Sequence, residues 1–221
     1  RERLTKSGVI EILFSQFIQF LEEKELIFNE GRLIDASFTI APRQRNSREE
    51  NDKIKKGEGG DLWNDQPNKK KHKDIDARWT KKNGEKFYGY KNHAKVDSKG
   101  KFIKKYLVTD ASVHDSQALD GLLEKSDKGQ SLHADSAYTG VNQEKVIKKY
   151  RLKNKVHEKG YRGNPLTDKQ KAKNKKKSKI RVRVEHVFGF MEQSMNGLIV
   201  RSIGIARATG IIGLINLTYN M

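Results

Sequence analysis

Three acidic residues stand where an acid needs a reason. Asp35 lies between Ile34 and Ala36 in the short apolar run RLIDASFTIAP, Asp135 closes SLHAD, and Glu185 sits in RVRVEHVFGFME, at the end of the most basic stretch of the chain. An unpaired buried carboxylate is costly. Taken singly, each has an ordinary explanation: a turn cap, an edge residue or, for Glu185, an ion pair with Arg181 one helical turn earlier. Taken together they suit phosphodiester cleavage, which needs an activated water and a stabilised leaving oxygen, and two hard cations supply both. Mg²⁺ prefers oxygen ligands and keeps several waters, so three carboxylates plus a substrate phosphate suffice. Competing chemistries lack their parts. There is no cysteine, the histidines His93, His114, His133 and His186 are not accompanied by a G-x-S-x-G serine, and the glycine-rich KGEGG and GYRGNP do not match the phosphate-loop pattern. Residue types and spacing therefore lead to a metal-dependent nucleic-acid enzyme and no further.

The charge balance agrees. In 221 residues, 46 Lys and Arg face 28 Asp and Glu, a net +18. An excess of this size favours a polyanionic partner through counterion release, ahead of a merely solvated basic surface or a ribosome-associated protein. Residues 169–183 hold nine Lys or Arg and no acid. These like charges repel unless something negative lies alongside, which makes Lys175, Lys176, Lys177, Lys179, Arg181 and Arg183 candidate phosphate contacts. Lys91 and Lys95 on a predicted hairpin join them. The lack of cysteine suits a reducing cytoplasm. No apolar run reaches the roughly 20 residues of a membrane span, GIIGLINL being too short. No secretory signal opens the chain, which starts at Arg1 as a helix already under way and reads as a fragment lacking an upstream domain.

The elements that must position the acids follow from periodicity. Val9, Ile12, Leu13, Phe17, Phe20 and Leu21 predict an amphipathic helix over 8–27, ended by Gly31. A strand carrying Asp35 runs to Pro42. Residues 43–80 are polar, rich in Lys and Gly, and are expected to be an insertion or mobile loop. Trp63 and Trp79 there are packing anchors before they are stacking platforms. FYGYKNHAKVD and FIKKYLVTDA form a hairpin, with Tyr88, Tyr90, Ala94 and Val96 on one face, Lys91, His93 and Lys95 on the other, and Gly100 supplying positive φ in the turn. Asp115 or Ser116 caps a helix containing Leu119, Leu122 and Leu123. SLHAD is a strand, Val146 and Ile147 lie on a small helix, RLKNKVHEK is a possible last strand, and a long helix runs from Asp168 to about Asn196 with Ile180, Val184, Val187, Met191 and Met195 as its core stripe. Strand, insertion, two strands, then alternating helices and strands predict a mixed α/β sheet flanked by helices.

RLIDASFTIAPRQRN, ARWTKKNGEKFYGYKNHAKVD, YLVTDASVHDSQALDGLL, LHADSAY and RVRVEHVFGFME occur in this order. Together they resemble bacterial DDE transposases of the insertion-sequence-five family, over nearly all of the chain from about residue 5. The resemblance implies a ribonuclease-H-like catalytic domain over 31–221, with 1–30 the end of an N-terminal helical region. It makes Asp35, Asp135 and Glu185 the catalytic and metal-binding acids, holding two Mg²⁺ ions for which Mn²⁺ can substitute. It also implies double-stranded DNA as substrate, both element ends and target, and a dimer or larger assembly on that DNA in the bacterial cytoplasm, associated with the nucleoid. The family pattern places an arginine four residues before the glutamate, met by Arg181, and often a lysine seven after it, where this chain has Glu192. A glutamate there repels phosphate, leaving Lys179 or Arg183 to substitute. His133 and His186 adjoin the acids and are either ligand-orienting or structural. His114 and Asp115, in SVHDS, are a support for the metal site or, for Asp115, a helix cap. The competing readings are a non-catalytic DNA-binding remnant and a ribonuclease-H-type nuclease without strand transfer.

Overall fold

The computed structural model describes residues 2–195 and 197–221. Arg1 and Asn196, the outer limits of two predicted helices, lie outside the described residues.

Six strands form one mixed sheet: β1 (Gly31–Ile40), β2 (Arg78–Lys82), β3 (Glu85–Asp97), β4 (Ile103–Asp110), β5 (Ser131–His133) and β6 (Lys153–Asn154). The first half of β3 pairs with β2, and its second half lies between β1 and β4, all antiparallel. On its other edge β1 takes β5, and β5 takes β6, both parallel. An antiparallel meander extended by two parallel strands is the ribonuclease-H-like arrangement that the sequence implies. RLKNKVHEK contributes only the two residues of β6.

Side chains alternate across β1, so its two faces meet different cores. Leu33 packs with Phe14, Ile18 and Leu21 of α2 (Val9–Glu23) and with Val184, Val187 and Met191 of α7 (Asp168–Ser194). Ile34 points the other way, to Leu119 and Leu122 of α5 (Leu119–Leu122) and Ile147 of α6 (Val141–Lys149). The α7 stripe is the predicted one with Phe188 added, and burying each such side chain contributes about 1.5–3 kcal/mol. The first long helix is shorter than predicted. Gly8, with φ 64, separates α2 from α1 (Glu2–Lys6), and the chain leaves α2 at Lys24, before Glu25 with φ 56, rather than at Gly31.

Neither β2 nor the C-terminal helix α8 (Ile205–Asn220) was read from the sequence. Helix α8 lies against β4 and α2, so closely that a Cβ on Gly213 would meet the Tyr106 hydroxyl at 2.3 Å and Ile10 Cγ2 at 2.9 Å. Two buried asparagines fasten it: Asn216 exchanges amide hydrogen bonds with Asn92, and Asn220 pairs with both backbone groups of Ile103. Residues 43–80 carry α3 (Arg48–Lys56) and α4 (Pro67–Lys71) ahead of β2. Glu50 organises this segment. It completes a capping box with Ser47 and accepts from Trp63 Nε1 at 2.6 Å and Lys69 Nζ at 2.9 Å. The Trp63 bond first, then Lys69 and the Ser47 backbone, hold its pKa down to about 2. Trp63 is thus a buried anchor, while Trp79 is exposed beside Tyr88 and the Arg43 guanidinium.

The hairpin corrects two expectations. Positive φ in its turn falls on Lys101 (φ 62); Gly100 serves a close approach instead, since a Cβ there would lie 3.0 Å from the Leu26 carbonyl. Its polar face is not solvated. Lys95 is fully buried and bridges Glu124 at 2.6 Å and Asp127 at 2.8 Å, and Lys91 is buried against Asp115 and the Val113 carbonyl. Neither ammonium is open to a phosphate, so the hairpin lysines are structural. Among the described residues no helix is long and apolar enough to cross a membrane.

Candidate active site

Register brings the two aspartates together. Leu33 is opposite His133 in the parallel β1–β5 pair. Two residues further along each segment come Asp35, still inside β1, and Asp135, just past the end of β5, with the strands about 4.8 Å apart and the face covered by α7. Asp135 has already left the ladder in extended conformation (φ −75, ψ 177), and its carboxylate accepts from Ala137 N–H at 2.8 Å to cap the turn that follows.

Glu185 arrives from α7. Val184 and Val187 fix that helix on the sheet, which places Arg181 and Glu185, four residues apart, on its flank. The Arg181 guanidinium ties the elements together: Nη1 meets Asp35 Oδ2 at 3.0 Å, and Nη2 donates to Glu185 Oε1. The expected ion pair with Glu185 is thus present and extends to Asp35. Among the described residues no three acidic or histidine side chains stand close enough to hold a metal ion in this arrangement. The guanidinium is the stand-in cation between two of the three acids. The donor set itself, carboxylate oxygens only, fits a hard divalent ion.

Burial is the largest influence on Asp35. It raises the pKa to about 6, against the Ala36 N–H bond and Arg181 and with help from the Asp135 charge. Because this lies above the ordinary 3.8, the Asp35 carboxyl favours folding while protonated; that contribution is complete below pH 3.8 and is lost as pH rises through about 6. Asp35→Asn is therefore expected to stabilise the metal-free chain near neutral pH by about 3 kcal/mol at most. The advantage should shrink steadily toward acid. Urea unfolding at several pH values checks this, and a pH-independent difference would contradict it.

Of the histidines, His114 is exposed and caps the turn Asp115–Ala118 through Nδ1. Asp115 is not the cap but the partner of Lys91. His186 is exposed on α7. His133 is buried, and its pKa is lowered to about 4 by burial first and then by Lys155, His157 and Lys177. Two residues that the sequence did not single out adjoin the acids. Tyr138 is buried, its hydroxyl has no hydrogen-bond partner among the described residues, and burial followed by the charges of Asp35, Asp115 and Asp135 raises its pKa well above 10.0. His157 donates its backbone N–H to Ala134 O, contacts Ser178 Oγ at 3.3 Å, and feels the charges of Arg181 and Asp135. Tyr138 belongs to the block LHADSAY and could have been noticed there; nothing local marks His157. Of the basic candidates, Lys175, Lys176 and Lys179 are exposed on α7, Lys177 is held by the Val156 carbonyl at 2.8 Å, and Arg183 donates to the Ser98 carbonyl at 2.6 Å. Arg183 thus fastens the hairpin turn.

A mixed sheet in this strand order, with one aspartate inside β1, another just past β5 and a glutamate on the covering helix, is the arrangement of a ribonuclease-H-like domain. The chain belongs to the transposase DDE domain family, whose model matches residues 28–221. It is similar to the transposase for insertion sequence element IS1106 of Neisseria meningitidis serogroup B, with 36% identity over 121 residues. That match covers 55% of this chain and 42% of the relative, so the chain aligns with less than half of the relative's length. No solved structure matches the chain.

Proposed function

We propose that this chain is the catalytic domain of an insertion-sequence-five-type transposase, which cuts DNA at the ends of its element and joins those ends to target DNA. The observation that supports this reading is Arg181 bridging Asp35 and Glu185, with Asp135 just past the strand parallel to that of Asp35, beneath a helix whose outer side is lysine-rich. Asp35, Asp135 and Glu185 would hold two Mg²⁺ ions, or Mn²⁺ in their place. When bound, the ions supply an activated attacking oxygen and charge stabilisation at the leaving oxygen.

The chain's own residues orient and neutralise. Asp35 presents its carboxylate from within β1 and Asp135 from just past β5, and α7 carries Arg181 and Glu185 on the flank that faces Asp35. In the first step a water oxygen bonds to phosphorus and the P–O3′ bond breaks, leaving a 3′-hydroxyl on the element and a 5′-phosphate on the flank. In the second the 3′-oxygen bonds to a target phosphorus and the target's P–O3′ bond breaks. One such bond forms for each one lost in the second step, so no external energy source is needed. Lys175, Lys176 and Lys179 face the DNA backbone without reading sequence. Joining two ends at once calls for a dimer or larger assembly, working on nucleoid DNA in the bacterial cytoplasm.

The test is purified chain with Mn²⁺ and DNA bearing the element ends, run beside Asp135→Asn. Metal-dependent joined products that vanish in the variant support the transposase. Nicks alone mean a nuclease, and binding without cleavage means a DNA-binding remnant.

A further inference from the structure

A second concave site lies beside the acids. The segment following β6 and the middle of α7 enclose a cleft of about 490 Å³ lined by His133, Lys155, Glu158, Lys173, Lys176 and Lys177. We propose that it is a phosphate subsite, taking one phosphodiester group of the DNA strand that passes through the catalytic centre. The inference rests on the nucleic-acid reading above and adds to it the place where a neighbouring phosphate is held.

Charge, burial and position carry it. Four ammonium groups converge on the cleft against one carboxylate, and that carboxylate, Glu158, is 3.7 Å from Lys177. Lys177 is fixed further by the Val156 carbonyl, while Lys155, Lys173 and Lys176 have no acidic partner among the described residues. Such a cluster repels itself unless an anion joins it. His133 is only 6% exposed, yet its Nδ1 is buried with no partner among the described residues. Buried polar atoms are rarely left unsatisfied, and an anionic oxygen in the cleft would offer one ring nitrogen an acceptor. The wall contains no aromatic side chain other than this imidazole, so it offers little to stack a base on and suits backbone, read without regard to sequence.

The position fits a continuous strand. His133 and Asp135 are two residues apart along an extended segment, about 6.6 Å. A phosphate in the cleft therefore lies close along the strand to the one at the acids. His157, bonded to Ala134 and Ser178, stands where the cleft adjoins the catalytic centre.

The experiment measures binding of duplex DNA of arbitrary sequence, without divalent metal, between about 50 and 200 mM salt. It compares wild type, Lys155→Gln/Lys173→Gln, and the control Lys145→Gln/Lys148→Gln, which removes the same charge from exposed positions on α6. Losing the contact to that one phosphate lowers the slope of log affinity against log salt by up to about 0.9. The expected result is a shallower slope for the cleft variant alone, with circular dichroism unchanged. Equal slopes for all three proteins, or equal losses for both variants, overturn the subsite while leaving the nucleic-acid reading intact. A wild-type chain that binds no DNA removes that reading, and the subsite with it.

Discussion

Glu185→Gln and Asp35→Asn are each expected, on the proposed function, to lower DNA cleavage roughly 10³-fold, because several kcal/mol of transition-state charge stabilisation would depend on the ions that these acids would hold. Each substitution is close to isosteric and removes one negative charge. DNA binding without metal should persist or strengthen slightly, since a negative charge facing phosphate has gone. The two variants should differ in a second measurement. Asp35→Asn relieves a carboxylate that burial disfavours, so its metal-free form should melt higher than wild type near neutral pH. Glu185 is half exposed and paired, among the described residues, with Arg181 alone, so Glu185→Gln should leave stability nearly unchanged. Cleavage within tenfold of wild type in either variant would remove that acid from the site. Loss of cleavage together with loss of folding would point to a structural role instead.

The largest stability effect is expected away from the acids. Arg32, Asp97, Lys95 and Asp127 form a network with fully buried side chains: Arg32 Nε meets Asp127 Oδ1 at 2.8 Å, Arg32 Nη1 meets Asp97 at 3.2 Å, and Lys95 Nζ meets Asp127 Oδ2 at 2.8 Å. Asp127 is the shared anion between two buried cations. Asp127→Ala leaves Arg32 and Lys95 short of a counter-charge in a dry interior and should cost about 3–5 kcal/mol. Burial by itself pushes the Asp127 pKa up, but Lys95 and Arg32 outweigh it and the net shift is downward. Its stabilisation is therefore present above the ordinary carboxylate range and is lost as pH falls through the depressed value, so the difference between wild type and variant should narrow in acid. Urea midpoints across pH measure both. A loss below about 1 kcal/mol, the range of surface pairs, would mean that the network is wetter than the structure has it.

The acids were legible because each sits in a short block of distinctive sequence, and β1 and α7 were legible because their apolar spacing matches their packing. The fate of Lys91 and Lys95 was not. Alternation along β3 suggests one wet face, but the second half of the strand is covered on both sides, and its lysines are neutralised by Asp115, Glu124 and Asp127, 24 to 32 residues away. Partners that distant leave no local trace. Helix α8 hides for a related reason. It is covered on several sides and carries glycines and asparagines at buried positions, so GIIGLINLTYN shows no clean amphipathic stripe. Helix α3, by contrast, had a readable start, since Ser47 and Glu50 in SREE are a capping box. The polar composition around it argued too strongly for loop.

The arginine between Asp35 and Glu185 gives the resting domain its own counter-ion. A divalent cation arriving there does not fall into vacant ligands; it competes with a tethered guanidinium that needs no diffusion to return. At low cation concentration the domain should therefore grip DNA without cutting it. On the proposed function, cleavage would then be expected to rise only above a threshold cation concentration.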